Sequence, residues 1–170
     1  PKQNNNKTPE KPAVIGEIKE KKTRPPETNI TPEENTALET TFAAKSEETG
    51  FKVYYPTFIP AGLALNKDSL LVTNAGQNGK IITYNLSSDN STTTPLVYIQ
   101  EQTEGMKLDP NIPTQQETDY LKGYIKTIQN NTGSFYVLVF LKDEKIIIRM
   151  SVKSDIMDTD TLSKIAESMK

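Results

Sequence analysis

One stretch of this chain limits its fold more than any other. Phe135-Tyr136-Val137-Leu138-Val139-Phe140-Leu141 is apolar at every position. Successive side chains of a strand point to opposite faces, so an unbroken apolar run needs cover on both sides and belongs in the interior of a sheet. The flanking text agrees. Asn130-Asn131-Thr132-Gly133 and Lys142-Asp143-Glu144-Lys145 read as tight turns, with apolar strands at Tyr124–Gln129 and Ile146–Val152 beyond them. The spacing predicts a three-stranded antiparallel meander. Asp158 or Thr159 then caps a helix whose Leu162, Ile165, Ala166 and Met169 form one stripe, the natural cover for one face. An N-terminal helix or a long loop is the candidate for the other.

Upstream, Thr31-Pro32-Glu33-Glu34 supplies a capping hydroxyl, a proline for the first helical position and acids for the first turn. A helix is expected to Glu48, stopped by Gly50 and pinned by Leu38 and Phe42 alone. The period then changes to two. Phe51, Val53 and Tyr55 would share one face of a short strand ending at Pro56, and Pro56, Pro60 and Gly62 would form a rigid loop. Further strands are expected at Ser69–Thr73, Lys80–Ser87 and Leu96–Gln102, the first two joined through Asn78-Gly79. Residues 103–120 carry Pro110 and Pro113 and show no period; a connection this long is either functional or a crossing over one end of the sheet.

Composition divides the chain. Residues 1–50 hold 10 of its 58 apolar residues, too few for a core, whereas residues 51–170 hold 48. From Pro1 to Ile30, five prolines and many lysines and glutamates predict a disordered, flexible linker, because so little apolar surface cannot offset the entropy of ordering. Val14, Ile15 and Ile18 could form a short docking segment within it. The division is therefore a linker over 1–30 and one domain over 31–170. As a coil the linker would span on the order of 30 Å, and in extended form roughly 90 Å. A tether needs an anchor, and no run here is long and apolar enough to cross a bilayer. Because the chain begins with Pro, we expect it to be a mature or truncated piece with its anchor upstream.

The chain has no histidine, no cysteine and no tryptophan. Imidazole bases, thiolate nucleophiles and Cys/His metal sites are thereby excluded, and a large sheet core removes the need for disulfides. A net charge of −2 gives no general footprint for nucleic acid. No cofactor and no metal are expected. Asp155, Asp158 and Asp160 lack the spacing of a calcium loop and suit helix capping instead. Five Asn-x-Ser/Thr triplets, at Asn6, Asn29, Asn85, Asn90 and Asn130, are weak evidence for glycosylation in a chain this rich in Asn, Ser and Thr. Glu101, Glu104, Asp109, Glu117 and Asp119 leave a carboxylate pair formally open, but no Trp is present to stack a sugar. Lys122, Lys126, Arg149 and Lys153 interrupt the strands and either form a basic face with Tyr84, Tyr98 or Tyr124 or mark the solvent side of the sheet.

Residues 51–170 resemble a bacterial extracytoplasmic domain of unknown function. The resemblance rests on FKVYYPTFIPAGL at 51–63 with its Pro56, Pro60 and Gly62 spacing, on LKGYIK with Gly123, on FYVLVFLKDEKIIIRM and on the ending LSKIAESM at 162–169. That family recurs in Gram-positive lipoproteins and beyond the membrane helix of anti-sigma-factor-like proteins. The resemblance implies a membrane-tethered or secreted location and transfers no catalytic residue.

The expectation is thus an α+β domain: a curved, mostly antiparallel sheet of about six or seven strands, a C-terminal helix packed on it, a short N-terminal helix and a disordered stalk. The expected role is non-enzymatic, a sensory or interaction module of the cell envelope that binds a protein, peptide, glycan or lipid and acts as a monomer. Phe58, Met106, Leu108 and Ile112 are the candidate ligand-binding lip. A structural spacer and a carboxylate hydrolase are the rival readings.

Overall fold

The computed structural model describes residues 22–76, 79–88, 91–103, 115–118, 121–143 and 145–170. Helix α1 spans Pro32–Thr49. Its start is a capping box: the Glu34 N–H donates to Thr31 Oγ1 at 3.2 Å, and the Thr31 N–H donates to Glu34 Oε2 at 2.8 Å. Its end is Gly50 in the left-handed region, φ 77°. Only Leu38, Phe42 and Thr49 are buried, the narrow contact face that two large side chains allow.

Seven strands follow, β1 (Leu63–Ala75), β2 (Gly79–Ser88), β3 (Ser91–Gln102), β4 (Gln115–Glu117), β5 (Gly123–Asn130), β6 (Gly133–Lys142) and β7 (Ile146–Lys153), and then helix α2 (Thr159–Glu167). They form one antiparallel sheet in the order β1-β2-β3-β7-β6-β5-β4. The fold is the α+β arrangement that the periodicity predicts. β6 feeds two cores, as an all-apolar strand must. Leu138 and Phe140 join the main cluster, while Val137 and Val139 join Tyr124, Ile128 and Ile147 on the other face.

Three features differ from the sequence expectation. Both helices serve the same face: Leu38 and Phe42 from α1 and Leu162, Ile165 and Ala166 from α2 share one core with Tyr84, Ile99, Met150 and Leu138. An apolar stripe states that a helix must be covered but not which side of a sheet covers it. Phe51–Tyr55 is not a strand of the sheet. Val53, Tyr54 and Tyr55 are buried in succession, while Lys52 is exposed and Phe51 half-buried, so burial here follows no period of two. The segment pairs with the last residues of the chain: the Lys170 N–H donates to the Tyr55 carbonyl at 3.0 Å and the Thr57 N–H to the Ser168 carbonyl at 3.3 Å. Thirdly, β4 lies within the stretch that showed no period, since three residues are too short to show one.

Gly123 marks the tightest approach among the described glycines. It lies opposite Phe140, and a Cβ there would sit 2.6 Å from the Phe140 Cα. No residue but glycine fits that close contact of two backbones.

Candidate functional site

Much of the unusual chemistry collects where the Pro56–Gly62 loop, the end of α2 and the segment before α1 meet. Gly62, at φ 80°, lets the loop turn into β1. Asn29 clasps the loop. Its N–H donates to the Thr57 carbonyl at 3.0 Å, its side-chain amide donates to the Ile59 carbonyl at 2.6 Å, and its Oδ1 accepts from the Ile59 N–H at 2.8 Å. Arg24, five residues earlier, pairs with Glu167 through Nε at 2.6 Å and Nη2 at 3.0 Å and reaches Asp160 at 3.1 Å; Lys164 pairs with Glu27 at 3.2 Å. The residues just before α1 are thus tied to both ends of α2.

A cavity of about 600 Å³ lies between these parts. Pro26 and Ile30 form one wall and Ser168, Met169 and Lys170 another. Lys142, half-buried, also lines it, and its ammonium donates to the Met169 carbonyl at 2.8 Å. Burial holds the Lys142 ammonium below its ordinary pKa, against the opposing pull of Asp143. Of the predicted lip, Phe58 is half-buried against the main core, and its N–H donates to Ser168 Oγ at 3.0 Å. Its neighbour Thr57 lines the cavity. Met106, Leu108 and Ile112 lie outside the described residues, as do Val14, Ile15 and Ile18.

Beneath Lys142 is a buried polar cluster. Glu101 follows Val97 and Ile99 at alternate positions of β3, so the pleat carries it into the core, where it is fully buried. Its Oε2 accepts from the Tyr54 N–H at 2.9 Å, and its Oε1 stands 2.9 Å from the Tyr84 hydroxyl. Burial pushes its carboxyl up to about 8, although the Tyr54 and Tyr84 donors and the Lys142 charge each pull it down. Desolvation also raises the hydroxyls of Tyr54 and Tyr84, and the Tyr54 hydroxyl donates to Asp143 in the turn after β6. Sequence reasoning weighed Glu101 only as one acid among five. The available signal was an acid at the third inward position of β3, after Val97 and Ile99.

The acids behave as local structure. Asp158 caps α2, its Oδ1 accepting from the Thr161 N–H at 2.7 Å, which holds its carboxyl below the usual range. Asp160 pairs with Arg24 and Lys164. Glu104, Asp109 and Asp119 lie outside the described residues, as does the Glu117 side chain. Among the described residues no group of three or more acids could hold a metal ion.

The sheet face away from the helices carries a smaller groove of about 250 Å³, lined by Leu96, Tyr98, Phe135, Lys153 and Ile156. Tyr98 and Ile156 are each 41% exposed, an unusual outlay of large apolar surface. Register places Lys126, Arg149 and Lys153 on this face with Tyr98 and Tyr124, and Tyr84 on the opposite one. Among the described residues no helix is long and apolar enough to cross a membrane. Comparison with protein-family models, curated proteins and solved structures finds no match for this chain.

Proposed function

We propose that the chain is a non-enzymatic binding module of the bacterial cell envelope, held on an N-terminal tether, that takes an amphiphilic ligand with an acidic group. One observation carries the reading: the 600 Å³ cavity is walled on one side by Pro26 and Ile30 and on the other by the last residues of the domain. A ligand seated there would touch both the tether's root and the domain, so occupancy would change how firmly the tether is held. The chemistry of the walls supports the ligand class. Met169, Ile30, Pro26 and Pro32 offer an apolar surface, and the ammonium groups of Lys142 and of Lys170, the latter 3.7 Å from Glu39, supply positive charge, while Glu167 is already neutralised by Arg24. Glu101, the acid best tuned to titrate near neutrality, is sealed from any ligand. That favours binding over carboxylate hydrolysis. The extracytoplasmic setting rests on the resemblance of residues 51–63 and 162–169.

The test is an amide NMR titration of the full chain with phosphatidylglycerol vesicles, a soluble cell-wall digest and an acidic peptide in turn. The expected result is shifts at Ile30, Thr57, Ser168 and Met169 with at least one probe. Silence with all three, or shifts confined to Tyr98 and Ile156, would overturn the assignment.

A further inference from the structure

The protons around Glu101 can be placed one by one. The Tyr84 hydroxyl oxygen lies 2.6 Å from the Tyr54 carbonyl and 2.9 Å from Glu101 Oε1. A carbonyl oxygen only accepts, and so does an ionised carboxylate, whereas the hydroxyl has a single proton to give. With Glu101 ionised, one of these two close contacts would set lone pair against lone pair in a site without water access. With a proton on Oε1 every contact is filled. The carboxyl O–H donates to the Tyr84 oxygen, the Tyr84 O–H donates to the Tyr54 carbonyl, and the Tyr54 N–H donates back to Glu101 Oε2.

We propose that Glu101 is held as the neutral carboxylic acid, closing a three-bond ring that clamps Tyr54 to the sheet, and that losing this proton opens the clamp. The surroundings agree. Ile82 and Ile148 flank Glu101 in the sheet from β2 and β7 and bring no charge. Tyr84 comes from β2, Tyr54 from the segment before Pro56, and Lys142 from β6 is a cation whose field lowers the acid. Lys142 is turned aside onto the Met169 carbonyl, and both it and Lys52 lie over the Tyr54 ring, at 5.4 and 4.7 Å. Asp143 meets the far end of Tyr54, accepting from its hydroxyl and, with burial, holding that hydroxyl above its ordinary value. Burial pushes Glu101 up to about 8, so the switch falls within reach of ordinary environments. Opening it would loosen Tyr54 and Tyr55, and with them the Lys170 and Ser168 pairing and the loop on which Asn29 rests.

Infrared difference spectra of the full-length protein, wild type minus Glu101→Gln, test the proton directly at pH 6. The expected result is a protonated-carboxyl band that fades as the pH rises through about 8. Urea denaturation from pH 5.5 to 9 tests the clamp. The wild-type folding constant should fall by about tenfold per pH unit until Glu101 ionises. Glu101→Gln can donate to Tyr84 and accept from Tyr54, so it should remove this slope yet keep the stability found at low pH. Should Glu101→Gln not fold, a carbon-13 carboxyl titration of the wild type still reads the proton. A carboxyl already ionised at pH 6, or a wild type whose stability does not depend on pH between 5.5 and 8, would overturn the proposal.

Discussion

Arg24 pairs with Glu167 through two parallel hydrogen bonds, Nε to Oε2 at 2.6 Å and Nη2 to Oε1 at 3.0 Å, joining positions 143 residues apart in the chain. Glu167 is nearly buried, its side chain 8% exposed, so the pair is better shielded than an ordinary surface bridge. The two carboxylates at Arg24 hold its guanidinium above its ordinary pKa. Arg24→Ala should therefore cost about 1–3 kcal/mol, nearer the lower figure because Arg24 itself meets solvent. Hydrogen exchange gives the sharper readout. The Asn29 amide, bonded to the Thr57 carbonyl, should exchange faster in Arg24→Ala while amides of β6 stay unchanged.

Helix α1 depends on Phe42. The ring stacks edge-on against Tyr84 with centroids 5.2 Å apart and tilts against Tyr55 at 5.1 Å, and Leu38 is the one other large buried side chain of the helix. Phe42→Ala should cost about 3–5 kcal/mol. The helix should also lose its amide protection before the sheet does, a local melting that exchange under mild denaturant would resolve. Uniform loss of protection across helix and sheet would count against so narrow an attachment.

Gly123→Ala tests the close approach of β5 to β6. The new Cβ would meet the backbone of Val139 and Phe140, neither of which can move without disturbing the central strand. The expected result is a marked fall in melting temperature, with β4 and β5 losing exchange protection first because they form the sheet edge. By contrast, Gly133→Ala adds a Cβ that touches nothing, and its cost comes only from the positive φ of 130°. A smaller effect at 123 than at 133 would refute the steric account.

The sequence was most legible where physics is local. Thr31, Pro32, Glu34 and Gly50 specify α1 almost to the residue because caps act within one turn. The unbroken apolar run Phe135–Leu141, set between two short turns, specifies the meander because those turns act locally. The placement of α1 on the same face as α2 could not be read, since it depends on how Phe42 meets Tyr84 across 42 positions of chain. The site was legible as an anomaly and no further. Val97, Ile99 and Glu101 put an acid in the core, but its partners are fixed by the register of β2 on β3 and by the course of residues 51–57. Likewise, nothing local in Arg24 points to Glu167.

Stability should peak on the mildly acidic side of neutrality, because two sets of carboxyls pull in opposite directions. Asp158 and Glu34 have folded values below their ordinary ones, owing to the backbone donors at Thr161 and Thr31. Their contribution is present above the ordinary carboxyl range and is lost as the pH falls through their folded values. Glu101 has the opposite sign. Its folded value near 8 means that the native state holds a proton the unfolded chain has released, so its contribution is complete below about 4.5 and is lost as the pH rises to about 8. Burial holds the Lys142 ammonium below its ordinary value, so its contribution runs the other way and grows as the pH rises through its folded value. Urea midpoints across pH 3–9 should therefore trace a maximum between the ordinary carboxyl range and neutrality. Replacing Asp158 by Ala should lower the curve by about 1 kcal/mol above the ordinary carboxyl range through loss of the cap, and so flatten its acid limb. Glu101→Gln should flatten only the neutral limb, and a variant that flattened both would show that the two limbs do not belong to separate groups.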